Sequence, residues 1–283
     1  MNAFMAPSLR PPVIIPAVER HLGFGITAQR DPEGVGVARL AAGLEALGFD
    51  ELWANDGRRG SGLATLAVAV GGSSRLVLCL GVAPLSERTA EQIAAEVELL
   101  GIPHARLVLG IGTGAGSSLA TVSDAVTELR RLLPEVRLAI AALGPRMCAL
   151  GGQIADVVLL NWSYPDRIAW SRERIAAGAA TAGRPMPRVA GYVRVAIGPD
   201  APERLAAEGE RYRQRPRPYT RLLDAQHVTE RGVPGVASVD PAQVPPLLAP
   251  YREALDSCVI RALTVEPGAD GWLEVAAAAT LRA

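Results

Sequence analysis

Apolar positions recur along this chain in two rhythms, and the two alternate. Short runs rich in leucine, valine and isoleucine end in glycine, proline or a polar residue. Between them lie longer stretches whose apolar residues return every three or four positions. The clearest case runs from Arg75 to Gly116, reading RLVLCLGVAPL, then SERTAEQIAAEVELLGIPH, then ARLVLGIGTGAG. A strand that is apolar on both faces needs cover on both faces, the habit of parallel strands wrapped by helices. The stretch therefore predicts a strand-helix-strand unit with a right-handed crossover. Ligands bind just past the carboxyl ends of such strands. That directs attention to Gly81-Val82-Ala83-Pro84 and to Gly112-Thr113-Gly114-Ala115.

The same alternation extends in both directions. Strands are expected at His21–Ala28, Phe49–Asp56, Val136–Pro145, Ala155–Trp162, Arg188–Gly198 and Cys258–Pro267, besides the two in the central unit. Helices are expected at Val35–Gly48, from GRRGSG through Val70, at Thr121–Pro134, over RMCALGGQ with a glycine stop, at Asp166–Gly183 and at Asp270–Ala283. Ala201–Tyr251 reads as mostly helical, broken at RPRPY and GVPGV. Eight strands alternating with helices predict an α/β fold of the (β/α)8 TIM-barrel type, for which about 250 residues is typical. The 283 residues contain no low-complexity linker, so one domain over 1–283 is expected, with 1–20 as a loose lead-in.

Composition narrows the function. No apolar run reaches the ~18 residues of a membrane helix, and 29 basic residues balance 29 acidic ones without a basic block. Neither a membrane nor nucleic acid is the expected partner. Cys79, Cys148 and Cys258 are odd in number and sit in apolar runs, which fits buried thiols in a reducing, cytoplasmic compartment. All 29 basic side chains are arginine, so Schiff-base chemistry, which needs a lysine amine, is excluded.

GIGTGAG (Gly110–Gly116) is either a phosphate cradle or a plain strand-to-helix turn. AALGPRM (Ala141–Met147) is a second such place: Gly144 permits close approach, Pro145 suits a first helical position, and Arg146 offers a fork to a phosphate. His21, His104 and His227 show no metal-ligand spacing, and no serine stands in a nucleophile elbow. A barrel with so few reactive groups needs a cofactor's chemistry, and a redox cofactor would supply it.

LGFDELWAND, RLVLCLGVAPLSERTAEQIAAEVELL, RLVLGIGTG, LAIAALGPRMCALGGQIADVVLLNW and IAAGAATAGR together resemble the luciferase-like monooxygenase superfamily. Within it they are most similar to deazaflavin (coenzyme F420)-dependent oxidoreductases related to methylenetetrahydromethanopterin reductase. The resemblance covers roughly Gly23 to Val195 and implies the same barrel. It implies that Gly81-Val82 is the family's non-prolyl cis peptide behind the deazaflavin ring, with Ala83 beside it. It places Asp56 against the ring, Thr113 and Gly114 along the cofactor, Leu143, Gly144, Arg146 and Met147 in the phosphate loop, and Asn161 as a polar strand-end group.

Two departures from the family stand out. Gly57 replaces the histidine after the second-strand aspartate, and Ala115 replaces the glutamate after Thr-Gly. Proton delivery then falls to Asp56, Asn55, Arg58 or a bound water. Asn55 is expected to pack behind Asp56, and Arg58 or Arg59 to hold an anionic substrate group. The segment after the fourth strand is also shortened, leaving the mouth to be covered by Ala201–Tyr251 or by a partner chain, with a homodimer as the expected assembly. The implied activity is hydride transfer between coenzyme F420 and a small organic substrate. The alternatives are an FMN-dependent monooxygenase, a catalytically retired barrel acting as a partner subunit, and a phosphate-binding isomerase.

Overall fold

Runs such as VLCLGVAP and LVLGIG cannot expose either face to water, and the chain satisfies them by closing a sheet on itself. The computed structural model describes residues 20–57, 60–114, 118–214 and 217–281. In chain order the elements are β1 (His21–Thr27), α1 (Val37–Ala46), β2 (Glu51–Asn55), α2 (Gly62–Val70), β3 (Val77–Pro84), α3 (Ala90–Leu100), β4 (Leu107–Gly112) and α4 (Leu119–Leu132). There follow β5 (Arg137–Ala141), α5 (Pro145–Ile154), β6 (Val157–Asn161), α6 (Pro165–Thr181) and β7 (Arg188–Ile197). The last part carries α7 (Ala201–Arg213), α8 (Arg217–Asp224), α9 (Val228–Arg231), β8 (Val236–Ser238), α10 (Val244–Ala254), β9 (Ser257–Ala262) and α11 (Ala269–Thr280).

Strands β1 to β7 pair in order, β7 pairs β9, and β9 returns to β1, all parallel. This is the closed eight-stranded barrel that the sequence predicts. Its eighth member is β9. The three-residue β8 lies outside the ring, paired with Val195–Ile197 at the top of the long β7. The GVPGV segment that leads into it reads as a break, because three residues are too few for a period-2 pattern to register.

Two layers share the apolar residues. Trp53, Cys79, Val108, Ala139, Val157, Leu159, Ala190, Tyr192 and Val259 fill the barrel. Phe24, Leu52, Leu78, Leu109, Val158, Val193 and Ile260 face outward onto the helices. All three cysteines are free and buried. Burial pushes the Cys258 thiol up to about 12, so it does not ionise at neutral pH.

The floor of the barrel is polar and closed. Glu51 is fully buried and accepts the Trp53 indole N–H at 2.7 Å, the Ser257 hydroxyl at 3.3 Å and an Arg188 contact at 2.5 Å. Beneath the strands, Asp50, Asp156 and Asp256 each take a backbone N–H from the neighbouring strand, those of Leu22, Leu138 and Val189, all at 2.8 Å. A cavity of about 450 Å³ opens at this amino-terminal end, against His21, Asp50, Arg252 and Cys258.

The helices begin where their caps say. Thr89 with Gln92 and Ser118 with Thr121 form reciprocal boxes at the starts of α3 and α4. The Gly151-Gly152 pair, expected to stop a helix, instead lies inside α5. A Cβ on Gly152 would overlap the Ile175 carbonyl, and one on Gly178 the Ala149 carbonyl. The pair is a notch through which α5 and α6 cross in contact. No helix of the described residues is long and apolar enough to cross a membrane.

Candidate active site at the barrel mouth

Strand alternation decides which side chains look into the mouth. Trp53 and Tyr192 belong to the interior, and their rings meet edge-on at 6.1 Å. Two residues on along each strand come Asn55 and Arg194, and Arg261 stands in the same relation to Val259. The mouth is thus ringed by Thr27, Asn55, the Gly81-Val82 step, Gly112, Asn161, Arg194 and Arg261.

The Gly81-Val82 peptide is cis, as the resemblance implies, and the β3–β4 register shifts between Leu80 and Ala83. Close approach explains the glycines here. A Cβ on Gly81 would stand 2.7 Å from the Trp53 ring and would overlap the Tyr192 hydroxyl. On the next strand, a Cβ on Gly110 would overlap the Leu80 carbonyl, and one on Gly112 would stand 3.0 Å from Val82. Gly114 has φ 60 and no room beside Ser86. Thr113 is half-buried next to it. Ala83 differs from expectation: it is fully buried in the outer layer, because it alternates away from the interior.

Asn55 and Asp56 exchange the places expected of them. Because Trp53 faces the interior, Asn55 is the inward residue and Asp56 turns to the rim. The Asp56 carboxylate accepts the Gly62 N–H at 2.7 Å and pairs with Arg88, which also pairs with Glu96. Ser61 completes the network by donating to Glu96 at 2.5 Å. Burial pushes the Asp56 carboxyl up, while the Gly62 N–H and Arg88 hold it back. Asn55 donates to the Asp56 carbonyl at 2.7 Å and leaves its own Oδ1 buried without a partner. Arg58 and Arg59 lie outside the described residues, as does Ala115.

After β5, Gly144 caps α5 with no side-chain hydrogen bond, Pro145 takes the first turn, and Arg146 is exposed. Nothing would stand within 4 Å of a Cβ on Gly144, so the helix start opens onto free space. Leu143 packs at the edge of the mouth cover and its carbonyl accepts Arg167 at 3.2 Å. Met147 points back into the outer layer, away from the loop's open side.

Asn161 joins the mouth to its cover, accepting from Arg194 and donating to the Tyr219 hydroxyl at 3.3 Å. The cover comes from the expected segment after β7: Tyr212, Leu222, Leu223 and Val228 close on Trp162. Buried Gln226 fastens it, donating to the Trp162 carbonyl at 2.8 Å and accepting the Tyr164 N–H at 2.9 Å. Arg194, Arg261 and Gln226 were not singled out from the sequence. For the two arginines a signal is there: YVRVA and VIRAL each carry one charge inside an apolar strand. No group of three or more potential metal ligands occurs among the described residues.

The model of the luciferase-like monooxygenase family matches residues 120–235. The chain is 27% identical over 222 residues to 5,10-methylenetetrahydromethanopterin reductase of Methanolobus tindarius, covering 65% of this chain and 68% of that one. Among solved structures, an F420-dependent secondary alcohol dehydrogenase superposes with a TM-score of 0.71 at 16% identity, covering 92% of this chain and 99% of its own. The oxygenating constituent of 3,6-diketocamphane monooxygenase from Pseudomonas putida, bound to FMN, superposes at 0.66 with 12% identity, covering 92% and 97%. The resemblance to the luciferase-like monooxygenases carried by the sequence thus holds in the matched segment, in the reductase relative and in the fold.

Proposed function

We propose that this chain is an oxidoreductase that moves a hydride between coenzyme F420 and a small organic substrate. The observation that carries the reading is the shape of the mouth between β3 and α5. On that wall Gly81, Gly110 and Gly112 have no room for a side chain against Tyr192, Leu80 and Val82, so the Val82 step bulges at the strand ends, where it would back a flat ring. At the edge of the wall, the uncapped start of α5 and the exposed Arg146 offer N–H groups, the helix dipole and a guanidinium to a phosphate. The residues present therefore fit a phosphorylated deazaflavin.

When bound, the deazaflavin supplies the hydride acceptor and donor. The chain's residues do the rest. Gly81 and Val82 would back the ring, Thr113 and Gly114 would line it, and Gly144 and Arg146 would hold the phosphate. The buried Asn55 Oδ1 is an acceptor without a donor, and a ring N–H or a substrate hydroxyl would satisfy it. The cover over Trp162 excludes water from the reacting atoms. Asp56 acts on the rim, fixing the loop after β2 to the loop before α3, and is a positioning residue.

The FMN-bound neighbour favours a second reading, a flavin monooxygenase on the same wall. Titrating the purified chain with F420 and with FMN, followed by cofactor fluorescence, separates the two. F420 should bind the more tightly, and Arg146→Ala should weaken it about tenfold or more, the effect of losing a charged hydrogen bond. Tighter binding of FMN would select the monooxygenase reading, and binding of neither cofactor would sink both.

A further inference from the structure

Arg194 and Arg261 are register partners on the adjacent strands β7 and β9, and both side chains turn into the mouth. They are 1% and 9% exposed. Two half-buried arginines elsewhere meet acids: Arg188 meets Glu51 at 2.5 Å and Arg172 meets Asp256 at 2.9 Å. Among the described residues, neither mouth arginine has a carboxylate within 4.0 Å. Arg194 donates to the Asn161 side-chain oxygen, lies 4.0 Å over the Trp162 ring, and leaves its Nε buried without a partner. Arg261 donates to the Ile26 carbonyl at 3.2 Å and to the Thr27 hydroxyl, and lies 5.2 Å from the Tyr192 ring.

Every one of these partners is neutral. Two like charges side by side, taken out of water without a counter-charge, oppose folding. Burial lowers the Arg194 guanidinium to about 10, which still leaves it charged at neutral pH. A planar fork suits bidentate contact with an oxyanion, and neighbouring strands lie only about 4.8 Å apart.

We propose that Arg194 and Arg261 together seat an anionic group of the substrate, a carboxylate or a phosphate monoester, across the mouth from the glycine wall. This deepens the oxidoreductase reading and rests on it for the word substrate. The seat itself rests only on the two arginines and their neutral surroundings. The anion would take the orphaned Arg194 Nε–H and supply the missing negative charge. An oxidisable or reducible small acid, or a phosphate ester, is then the substrate class.

The test uses the full chain at constant ionic strength in chloride, titrated calorimetrically with propionate, methyl phosphate and, as the uncharged match, propionamide. One or both anions should bind in a manner that depends on Arg194 and Arg261, and the amide should not bind. Which anion binds tells carboxylate from phosphate. Arg194→Gln and Arg261→Gln should each weaken binding about tenfold or more, and the charge-keeping Arg261→Lys by less. Arg146→Gln should leave propionate binding unchanged, placing the anion in the mouth and not at the α5 loop. If the glutamine variants do not fold, Arg261→Lys and the amide comparison still decide. Absent saturable anion binding, equal binding of the amide, or affinity indifferent to both arginines would overturn the seat. The F420 and FMN titrations run on the same protein: cofactor binding without anion binding sinks the seat alone, and anion binding without cofactor binding sinks the oxidoreductase reading alone.

Discussion

The Tyr192 hydroxyl donates to the Gly81 carbonyl oxygen at 2.9 Å, tying β7 to β3 straight across the barrel. Full burial raises the phenol's pKa, so the donor keeps its proton throughout the working range. The bond holds the mouth at a fixed width where the glycine wall begins. Tyr192→Phe keeps the ring and deletes the donor. It should cost about 1–3 kcal/mol, the penalty for a buried acceptor left unmet, read by chemical denaturation. An unchanged midpoint and slope would mean that water or a shifted backbone satisfies Gly81.

Two glycines at the periphery should respond in opposite ways. Gly178→Ala drives a Cβ into the Ala149 carbonyl where α6 crosses α5, and should lower stability by about 1–3 kcal/mol. Gly144→Ala meets nothing within 4 Å, and its φ of −120 is open to any residue. It should leave the melting temperature near that of the parent. Equal losses from the two would show that the α5–α6 contact is looser than the backbone spacing indicates.

Glu45 gives the acid limb of stability a named source. Its carboxylate accepts from the Ser73 hydroxyl, from the Arg75 N–H at 2.9 Å and from the Ser74 N–H at 3.0 Å. With the Ser73 bond as the largest cause, these hold its pKa at about 2, below the ordinary 4.5. A carboxyl lowered in the folded state stabilises above its unfolded value, and that contribution fades as pH falls from about 4.5 toward about 2. Glu45→Gln should be less stable than the parent at pH 7, with the gap closing through that window. A gap independent of pH would assign the effect to packing.

What the sequence made legible, and what it did not, follows from where the information lies. The barrel was readable because each strand is an apolar run and each helix carries its own period, both local properties. The Gly81-Val82 step was readable through resemblance, and there the glycine marks a close approach. The exchange of Asn55 and Asp56 was half readable. Alternation separates the two faces, but only the third dimension shows that Trp53 points inward, onto Glu51. That Arg194 and Arg261 stand side by side depends on the register of strands 67 residues apart, which no local pattern encodes. Asp50, Asp156 and Asp256 share the difficulty, since each serves a neighbouring strand and not its own.

The polar floor around Glu51 makes the described barrel a vessel packed from below. Trp53 and Tyr192 fill the bore above it, and the Arg188–Glu51 pair lies below. In the proposed reaction, exchange at the mouth would then depend on the segment that Gln226 latches to the Trp162 carbonyl.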